Sequence, residues 1–428
     1  MSSNITKNDP RIINGWAMFD WANSAFSLVI STAIFPIYFN GICAQTVNLF
    51  GFELLSSSVY SYSISVAYLI LALSSPILSG IADYGGNKKA FLRFFTMLGA
   101  AACMAMIFFK TESQTMFGLV CFIIATIGYS GGLVFYNAYL PEIVTEDRLD
   151  KVSARGFAFG YIGSVILLVS NLVVIQKYAW FGFSSEAEAT PVAFLMVGVW
   201  WLAFSQITFF RLPNSTQVAD YSSPVTKGLE QFKKVWGEVK QITNIKFFLF
   251  SFFFYNAGVQ TVIFLATTFA QKELGMATAE LIGIVLMLQI VGILGAYLFA
   301  AISDRRGNKF SLSVTLIIWG LVCLAAFLVQ TKGQFYGIAF GVGLVMGGVQ
   351  SLSRATYSKL IPKETSNTTS FFSFMDIVDK TSVIMGSLSF GLIGQLTGNL
   401  RYSALTMALF FVIGFMFLYF VKIEKKTS

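Results

Sequence analysis

Twelve apolar runs constrain this chain more than any other feature: roughly 14–40, 56–82, 90–109, 114–139, 154–177, 191–211, 246–271, 279–302, 310–330, 334–358, 368–396 and 401–422. Each is close to, or longer than, the roughly 20 residues a helix needs to cross the hydrocarbon core of a bilayer. Lipid offers the backbone no hydrogen bonds, so such runs fold as helices. The chain is 56% hydrophobic and 12% charged, against about 25% charged in soluble domains. The expected fold class is an all-α membrane protein with twelve transmembrane helices. An even number puts both termini on one side. Lys88, Lys89, Arg93, Arg148, Lys151, Arg305, Arg306, Lys309, Lys359 and Lys363 fall on that side, while Lys110, Lys177, Lys272, Lys332 and Arg401 fall on the other. The side rich in Lys and Arg is the cytoplasmic one, so both termini are expected in the cytoplasm.

The first run, Ile13 to Asn40, is not uniformly apolar. Asp20, Asn23, Ser24, Ser27 and Ser31 fall at i, i+3, i+4, i+7 and i+11, one face of an α-helix. A carboxylate at this depth costs about 2.5–3.5 kcal/mol or more unless it faces protein or water. That face is expected to look into a bundle or cavity, either on a substrate or ion path or as a tie between helices. The length of the run, Asp20 within it and the lack of a small-x-small site after it argue against a cleaved signal peptide. The chain has no histidine, which excludes a His metal site, proton relay or switch. Its cysteines, Cys43, Cys103, Cys121 and Cys323, lie scattered in or beside apolar runs and suggest no disulfide or zinc framework.

The two halves of the chain repeat. Ile81-Ala82-Asp83, then Gly86-Asn87-Lys88, recurs as Ile302-Ser303-Asp304, then Gly307-Asn308-Lys309, an offset of 221 residues from Asp83 to Asp304. The same offset carries Tyr136 to Tyr357 and Pro141 to Pro362. Several landmarks at one offset indicate two homologous six-helix halves, the arrangement of a transporter with a midplane site between its repeats. The expected domains are 1–211, an N-terminal half; 212–245, a cytoplasmic linker; and 246–428, a C-terminal half. Within the linker Leu229, Phe232, Val235, Trp236, Val239 and Ile242 recur at helical spacing against Lys233, Lys234, Glu238 and Lys240. That pattern predicts an amphipathic helix on the cytoplasmic membrane surface, tethering the halves. Gly86 and Gly307 permit tight turns, and Asp83, Lys88, Asp304, Arg305 and Lys309 are candidate gating charges.

The repeated loop resembles the signature of the major facilitator superfamily. Within it the chain resembles the vacuole-effluxer-like branch, in its bacterial form. The matching stretches are Asp20-Trp21-Ala22-Asn23-Ser24-Ala25-Phe26 with Phe35-Pro36 and Tyr38; Phe135-Tyr136-Asn137-Ala138 with Leu140-Pro141; Gly347-Gly348-Val349-Gln350-Ser351-Leu352-Ser353-Arg354 with Leu360-Ile361-Pro362; and Phe371-Phe372 followed by Lys380. The resemblance implies a twelve-helix transporter in two pseudo-symmetric bundles. It also implies export of small metabolites such as amino acids in the vacuolar members, and an inner (plasma) membrane location for a bacterial member. The chain departs from the branch in helix 7, where Ala257 stands in place of the usual acid. Aligned on helix 1, Ala257 falls opposite Asp20, Gln260 opposite Asn23 and Thr261 opposite Ser24.

The resemblance further implies that helices 1, 4, 7 and 10 line a central cavity. Their polar residues include Asp20, Asn23 and Ser24; Asn137, beside Tyr136; Asn256 and Gln260; and Gln350 and Arg354. Helix 11 adds Asp376, Asp379 and Lys380, with the acid four residues before the base, the favourable order for a helical ion pair. An unpaired ammonium in hydrocarbon is costly, so Lys380 is expected to pair with Asp376, Asp379 or Asp20. These twelve residues are the candidate substrate or ion site. The expected function is secondary active transport of a small polar or amphipathic metabolite, an amino-acid-like solute first, with proton coupling through Asp20, Asp376 or Asp379 and sodium as the other candidate ion. The aromatics Trp16, Trp21, Tyr136, Tyr255 and Tyr357 suit the alternative, export or flipping of a larger amphipathic compound. A receptor without transport is the alternative of another class. No enzyme motif, cofactor, metal or nucleic-acid partner is expected; the chain is expected to be a monomer in the bilayer.

Overall fold

Hydrocarbon-length runs give hydrocarbon-length helices. The computed structural model describes residues 6–43, 46–49, 51–85, 87–214 and 224–422. Gly86, one of the two expected turn glycines, lies outside them. The first membrane element is composite: α1 (Pro10–Ala25), a π-helical stretch (Phe26–Ile34) and α2 (Phe35–Ile42). A hairpin follows, β1 (Thr46–Leu49) antiparallel to β2 (Phe52–Leu55), with Thr46 opposite Leu55. Then come α3 (Ser56–Gly85), α4 (Lys88–Ala105), α5 (Thr115–Ile143), α6 (Leu149–Gln176), α7 (Glu186–Arg211) and α8 (Pro224–Gln241). The last six are α9 (Thr243–Leu274), α10 (Thr278–Arg306), α11 (Asn308–Leu328), α12 (Lys332–Leu360), α13 (Thr368–Thr397) and α14 (Leu400–Phe420). Among the described residues eleven membrane spans qualify by length and apolarity, and α9, with 32 residues, is the twelfth long helix.

Several helices outrun the apolar runs that forecast them. α6 starts at Leu149 rather than near 154, and α5 ends at Ile143 rather than near 139. Apolar length measures the bilayer, whereas a helix continues for as long as its backbone bonds are satisfied. The π stretch was not legible. It ends where Pro36 removes a backbone donor, and the Phe35 N–H reaches back five residues to the Ile30 carbonyl. A register change next to a proline is the usual way a helix absorbs the missing bond. Ser27 and Ser31, expected on the straight polar stripe with Asp20, lie in this widened segment.

The chain forms two compact units, one of Met1–Asn4, Asp9–Asn137 and Phe159–Gly228, the other of Ile5–Asn8, Ala138–Ala158 and Leu229–Ser428. This differs from a cut of the sequence at 211 and 246. The segment 138–158, which joins α5 to α6, packs with the second unit, and α8 divides at Gly228.

Each unit contains the same close helix approach. In the first, a Cβ on Gly160 of α6 would stand 2.6 Å from Ser24 Oγ and 3.3 Å from the Asp20 carbonyl oxygen. In the second, a Cβ on Gly386 of α13 would stand 2.2 Å from Thr261 Oγ1 and 2.4 Å from the Ala257 carbonyl oxygen. Ser24 pairs with Thr261, and Asp20 with Ala257, in the alignment of helix 1 on helix 7. A contact repeated at aligned positions is structural support for the duplication. Neither glycine has room for a side chain, because the obstacle is partly backbone. Gly386→Val is expected to destabilise the protein by at least about 1–3 kcal/mol, the range for overpacking. A detergent thermal melt checks it, with Gly391→Ala, whose Cβ meets nothing within 4 Å, as the neutral control.

α8 forms where the helical spacing of the linker predicts it, and part of its apolar face packs on other helices. Val235 and Val239 are buried, and Phe232 and Trp236 stack on Phe374 of α13 at centroid distances of 4.7 and 5.2 Å. Leu229 and Trp236 of the same face stay 37% and 46% exposed, and the Gly228 backbone presses on Gly80 of α3. The sequence periodicity gave the face but not what covers it.

Candidate functional site: buried charges in each unit

In the first unit the site is built on α1. Asp20 is buried, and the Tyr136 hydroxyl of α5 donates to its Oδ2 at 2.7 Å. Tyr136 is itself fixed: it stacks on Trp16 with centroids 4.5 Å apart, and the Trp16 Nε1–H donates to the Tyr136 carbonyl at 3.0 Å. Asn23, one turn from Asp20, is buried with neither amide atom bonded to protein. Ser24 is half-buried and faces Gly160 of α6 across a helix contact. Asn137 is half-buried beside Tyr136. Tyr136→Phe removes a hydrogen bond to a charged acceptor, which is expected to cost about 1.5–3 kcal/mol. Asp20→Asn restores most of that loss in the double variant; a chemical-denaturation series checks both.

In the second unit the site is built on α13. Lys380 Nζ donates to Asp376 Oδ1 at 2.9 Å and to Asp379 Oδ2 at 3.0 Å. Asn256 of α9 donates to Asp379 Oδ1 at 2.8 Å and to Ser382 Oγ at 2.7 Å. Both oxygens of Asp379 are therefore used. Asp376 has one oxygen left over: its Oδ2 is buried and finds no protein partner. The Lys380 side chain is 4% exposed and that of Asp376 9%. Two carboxylates around one ammonium leave this cluster formally one charge negative, inside a membrane helix. Gln260 and Gln350 are half-buried.

Arg354 of α12 stands elsewhere. Its Nη2 donates to the Ser153 carbonyl at 2.8 Å and its Nε to Ser153 Oγ at 3.0 Å, with the guanidinium over the Phe157 ring at 4.3 Å. These contacts hold the start of α6 to α12. A neighbouring cluster, missed by sequence reasoning, does the same work. Asp150, second residue of α6, accepts from Lys359 Nζ at 2.8 Å, Ser303 Oγ at 2.9 Å and Asn308 Nδ2 at 2.7 Å. Its partners lie 153 to 209 residues away. Asn308 belongs to the repeated Gly-Asn-Lys motif, the one signal that pointed here.

The gating candidates divide. Asp83 and Lys88 are buried in the first unit, whereas Asp304 and Arg305 are exposed. Lys309 donates to the Tyr419 carbonyl at 2.5 Å and sits over the Tyr419 ring. Gly307 has φ of +87°, a conformation that favours glycine, and it links α10 to α11 in a single-residue turn. The charges of the two copies differ in burial.

Of the five aromatics expected to suit an amphipathic ligand, Trp16, Tyr136, Tyr255 and Tyr357 are at most 1% exposed. Tyr255 shares a hydrogen bond with Ser353 at 2.7 Å, and the Tyr357 hydroxyl donates to the Phe371 carbonyl at 2.7 Å. Trp21 is half-buried and stacked on Trp200 at 5.5 Å.

Twelve long apolar helices, a loop motif closing the second helix of each half, and buried carboxylates on helices 1 and 11 define the class: a membrane transporter of the major facilitator fold. Solved structures agree. The fucose transporter FucP in its outward conformation aligns with TM-score 0.71 at 15% identity, covering 97% of this chain and 99% of that one. The proton:xylose symporter XylE aligns with TM-score 0.76 at 13% identity, covering 96% and 95%. The chain belongs to the vacuole effluxer Atg22-like family, whose model matches residues 8–428. It is 32% identical to the MFS-type transporter YxiO of Bacillus subtilis over all of this chain and 98% of that protein. It is 26% identical to autophagy-related protein 22 of Kluyveromyces lactis over 86% of this chain and 80% of that protein.

Proposed function

We propose that the chain is a secondary active transporter for a small zwitterionic metabolite, an amino-acid-like solute first, working by alternating access in a bacterial plasma membrane with both termini cytoplasmic. The observation that carries this reading is the buried Asp376–Lys380–Asp379 cluster with its unpartnered Asp376 oxygen. A buried ion pair is held by geometry and hydrogen bonds more than by net energy. A zwitterion offers both charges such a pair needs: its ammonium fits Asp376 Oδ2, and its carboxylate competes for Lys380. Solute exchanges one set of ion pairs for another, so desolvation is small in either state. The burial of four of the aromatics favours this over a larger amphipathic ligand.

The driving ion fits the same cluster. Without histidine, carboxylates are the groups available to take up a proton near neutral pH in the bilayer. One proton on the surplus carboxylate cancels the net negative charge, and Asp20 in the first unit is the second candidate. Sodium is the competing ion, with Asn23 and Ser24 as neutral oxygen ligands beside the same carboxylates. The motif charges Asp83, Lys88, Asp304, Arg305 and Lys309, and the Asp150–Lys359 pair, are proposed to gate. An ion pair that forms in one state and breaks in another biases the equilibrium between them. The test is a thermal-shift screen of amino acids on purified protein, followed by counterflow of any hit in proteoliposomes. A stabilising amino acid that exchanges across the membrane is the expected result. Binding without exchange assigns a receptor and contradicts the proposal.

A further inference from the structure

α8 carries two stripes that differ by one residue in register. Gly228, Phe232, Val235 and Val239 fall at i, i+4, i+7 and i+11, one face of the helix. This stripe is packed: Gly228, Val235 and Val239 are buried, and Phe232 stacks on Phe374 of α13. One residue on, about 100° round the helix, come Leu229, Lys233, Trp236 and Lys240. All four are exposed. The two acids of α8, Glu230 and Glu238, lie off this second stripe.

The exposed stripe alternates apolar and basic side chains. Lys240 Nζ stands over the Trp236 ring, 4.8 Å from its centroid. Among the described residues neither Lys233 nor Lys240 is in an ion pair. The two lysines bracket Trp236, about 4.5 and 6 Å from it along the axis, so both ammoniums can reach one phosphate beside the indole. The stripe also lies where membrane helices begin. Trp236 stacks on Phe374, in the second turn of the membrane span α13. Ile242 alone separates α8 from the long helix α9. A Trp beside a Lys suits this level, because the ring meets acyl chains while the ammonium reaches out to headgroups.

We propose that this stripe of α8 docks an anionic phospholipid of the adjacent leaflet. Lys233 and Lys240 hold its phosphate, and Leu229 and Trp236 meet its glycerol and upper acyl chains. Charge selects the occupant. The stripe offers two ammoniums and no acid, so a zwitterionic headgroup, which brings an ammonium of its own, gains less there than an anionic one. A second copy docked stripe to stripe would bring four ammoniums together, and like charges across an interface are costly. Phe374 stands two residues before Asp376, so the docked lipid braces the start of the helix that carries the buried charge cluster.

The experiment uses the full chain purified in detergent. Its thermal melt is followed with short-chain phosphatidylglycerol, with phosphatidylcholine of the same acyl chains, and with inorganic phosphate. Phosphatidylglycerol is expected to raise the melting temperature by several degrees more than phosphatidylcholine, and phosphate to leave it unchanged. In the double variant Lys233→Gln, Lys240→Gln the phosphatidylglycerol shift falls to that of phosphatidylcholine. The charge-matched double variant Lys227→Gln, Lys234→Gln, off the stripe, keeps it. Equal shifts from the two lipids in the wild type overturn the proposal, as does the same shift from inorganic phosphate. So does a shift that survives in Lys233→Gln, Lys240→Gln. Equal loss in the two double variants also overturns it, because it assigns the effect to diffuse attraction by the net charge of +8. A dimer in detergent that Lys233→Gln, Lys240→Gln dissociates gives the stripe to a second copy and overturns it too.

Discussion

Lys380→Met is expected to destabilise the protein by about 3–5 kcal/mol, the range for breaking a buried pair and stranding a charge. Lys380 bonds to both Asp376 and Asp379 at 2.9 and 3.0 Å. Its loss leaves Asp376 buried with no partner for either oxygen among the bonds described, because the other oxygen already lacks one. Asp379 retains Asn256 and is the more exposed of the two acids. The triple variant Lys380→Met, Asp376→Asn, Asp379→Asn removes all three charges and is expected to recover most of the stability. It is expected to have no transport. Thermal melts beside flux assays separate the two effects. If the single variant melts within a degree or two of the wild type, the cluster does not hold a buried charge balance.

Asp150→Ala is expected to act locally and almost as strongly. The carboxylate gathers Lys359, Ser303 and Asn308, and without it the Lys359 ammonium keeps only the Asn308 amide oxygen at 2.6 Å among these contacts. Lys359 is partly exposed and can turn to water, so the expected loss is about 3 kcal/mol, the lower end of the buried range. The consequence specific to this arrangement is local opening. Hydrogen exchange over Leu149 to Phe157 is expected to rise by at least tenfold, with the outer ends of α11 and α12 unchanged. Equal exchange in wild type and variant shows that Asp150 does not pin the start of α6.

Membrane helices were legible because a single physical quantity, apolar length, defines them. The duplication was legible because Asp83 and Asp304, Tyr136 and Tyr357, and Pro141 and Pro362 share an offset. The pairing of Lys380 followed from local spacing on one helix and the cost of a bare ammonium. What escaped was whatever depends on distant partners. Asp150 reads in sequence as one of several charges in a solvated loop, beside Asp147 and Arg148; its burial comes from residues more than 150 positions away. The partners of Arg354 escaped in the same way, since neither Ser153 nor Phe157 announces itself in sequence. The π stretch escaped because periodicity analysis assumes one helical repeat. The face of α8 was plain, but amphipathicity does not say whether lipid or Phe374 covers it.

Substrate accumulation in proteoliposomes under an imposed pH gradient tests the central claim, transport driven through the buried carboxylates, most directly. The wild type is expected to accumulate its solute when the gradient is present and only to exchange it when the gradient is absent. Asp376→Asn is expected to exchange without accumulating. If Asp20→Asn, Asp376→Asn and Asp379→Asn all keep the wild-type response to the gradient, or the wild type shows none, the carboxylates do not couple transport to protons and the account is contradicted.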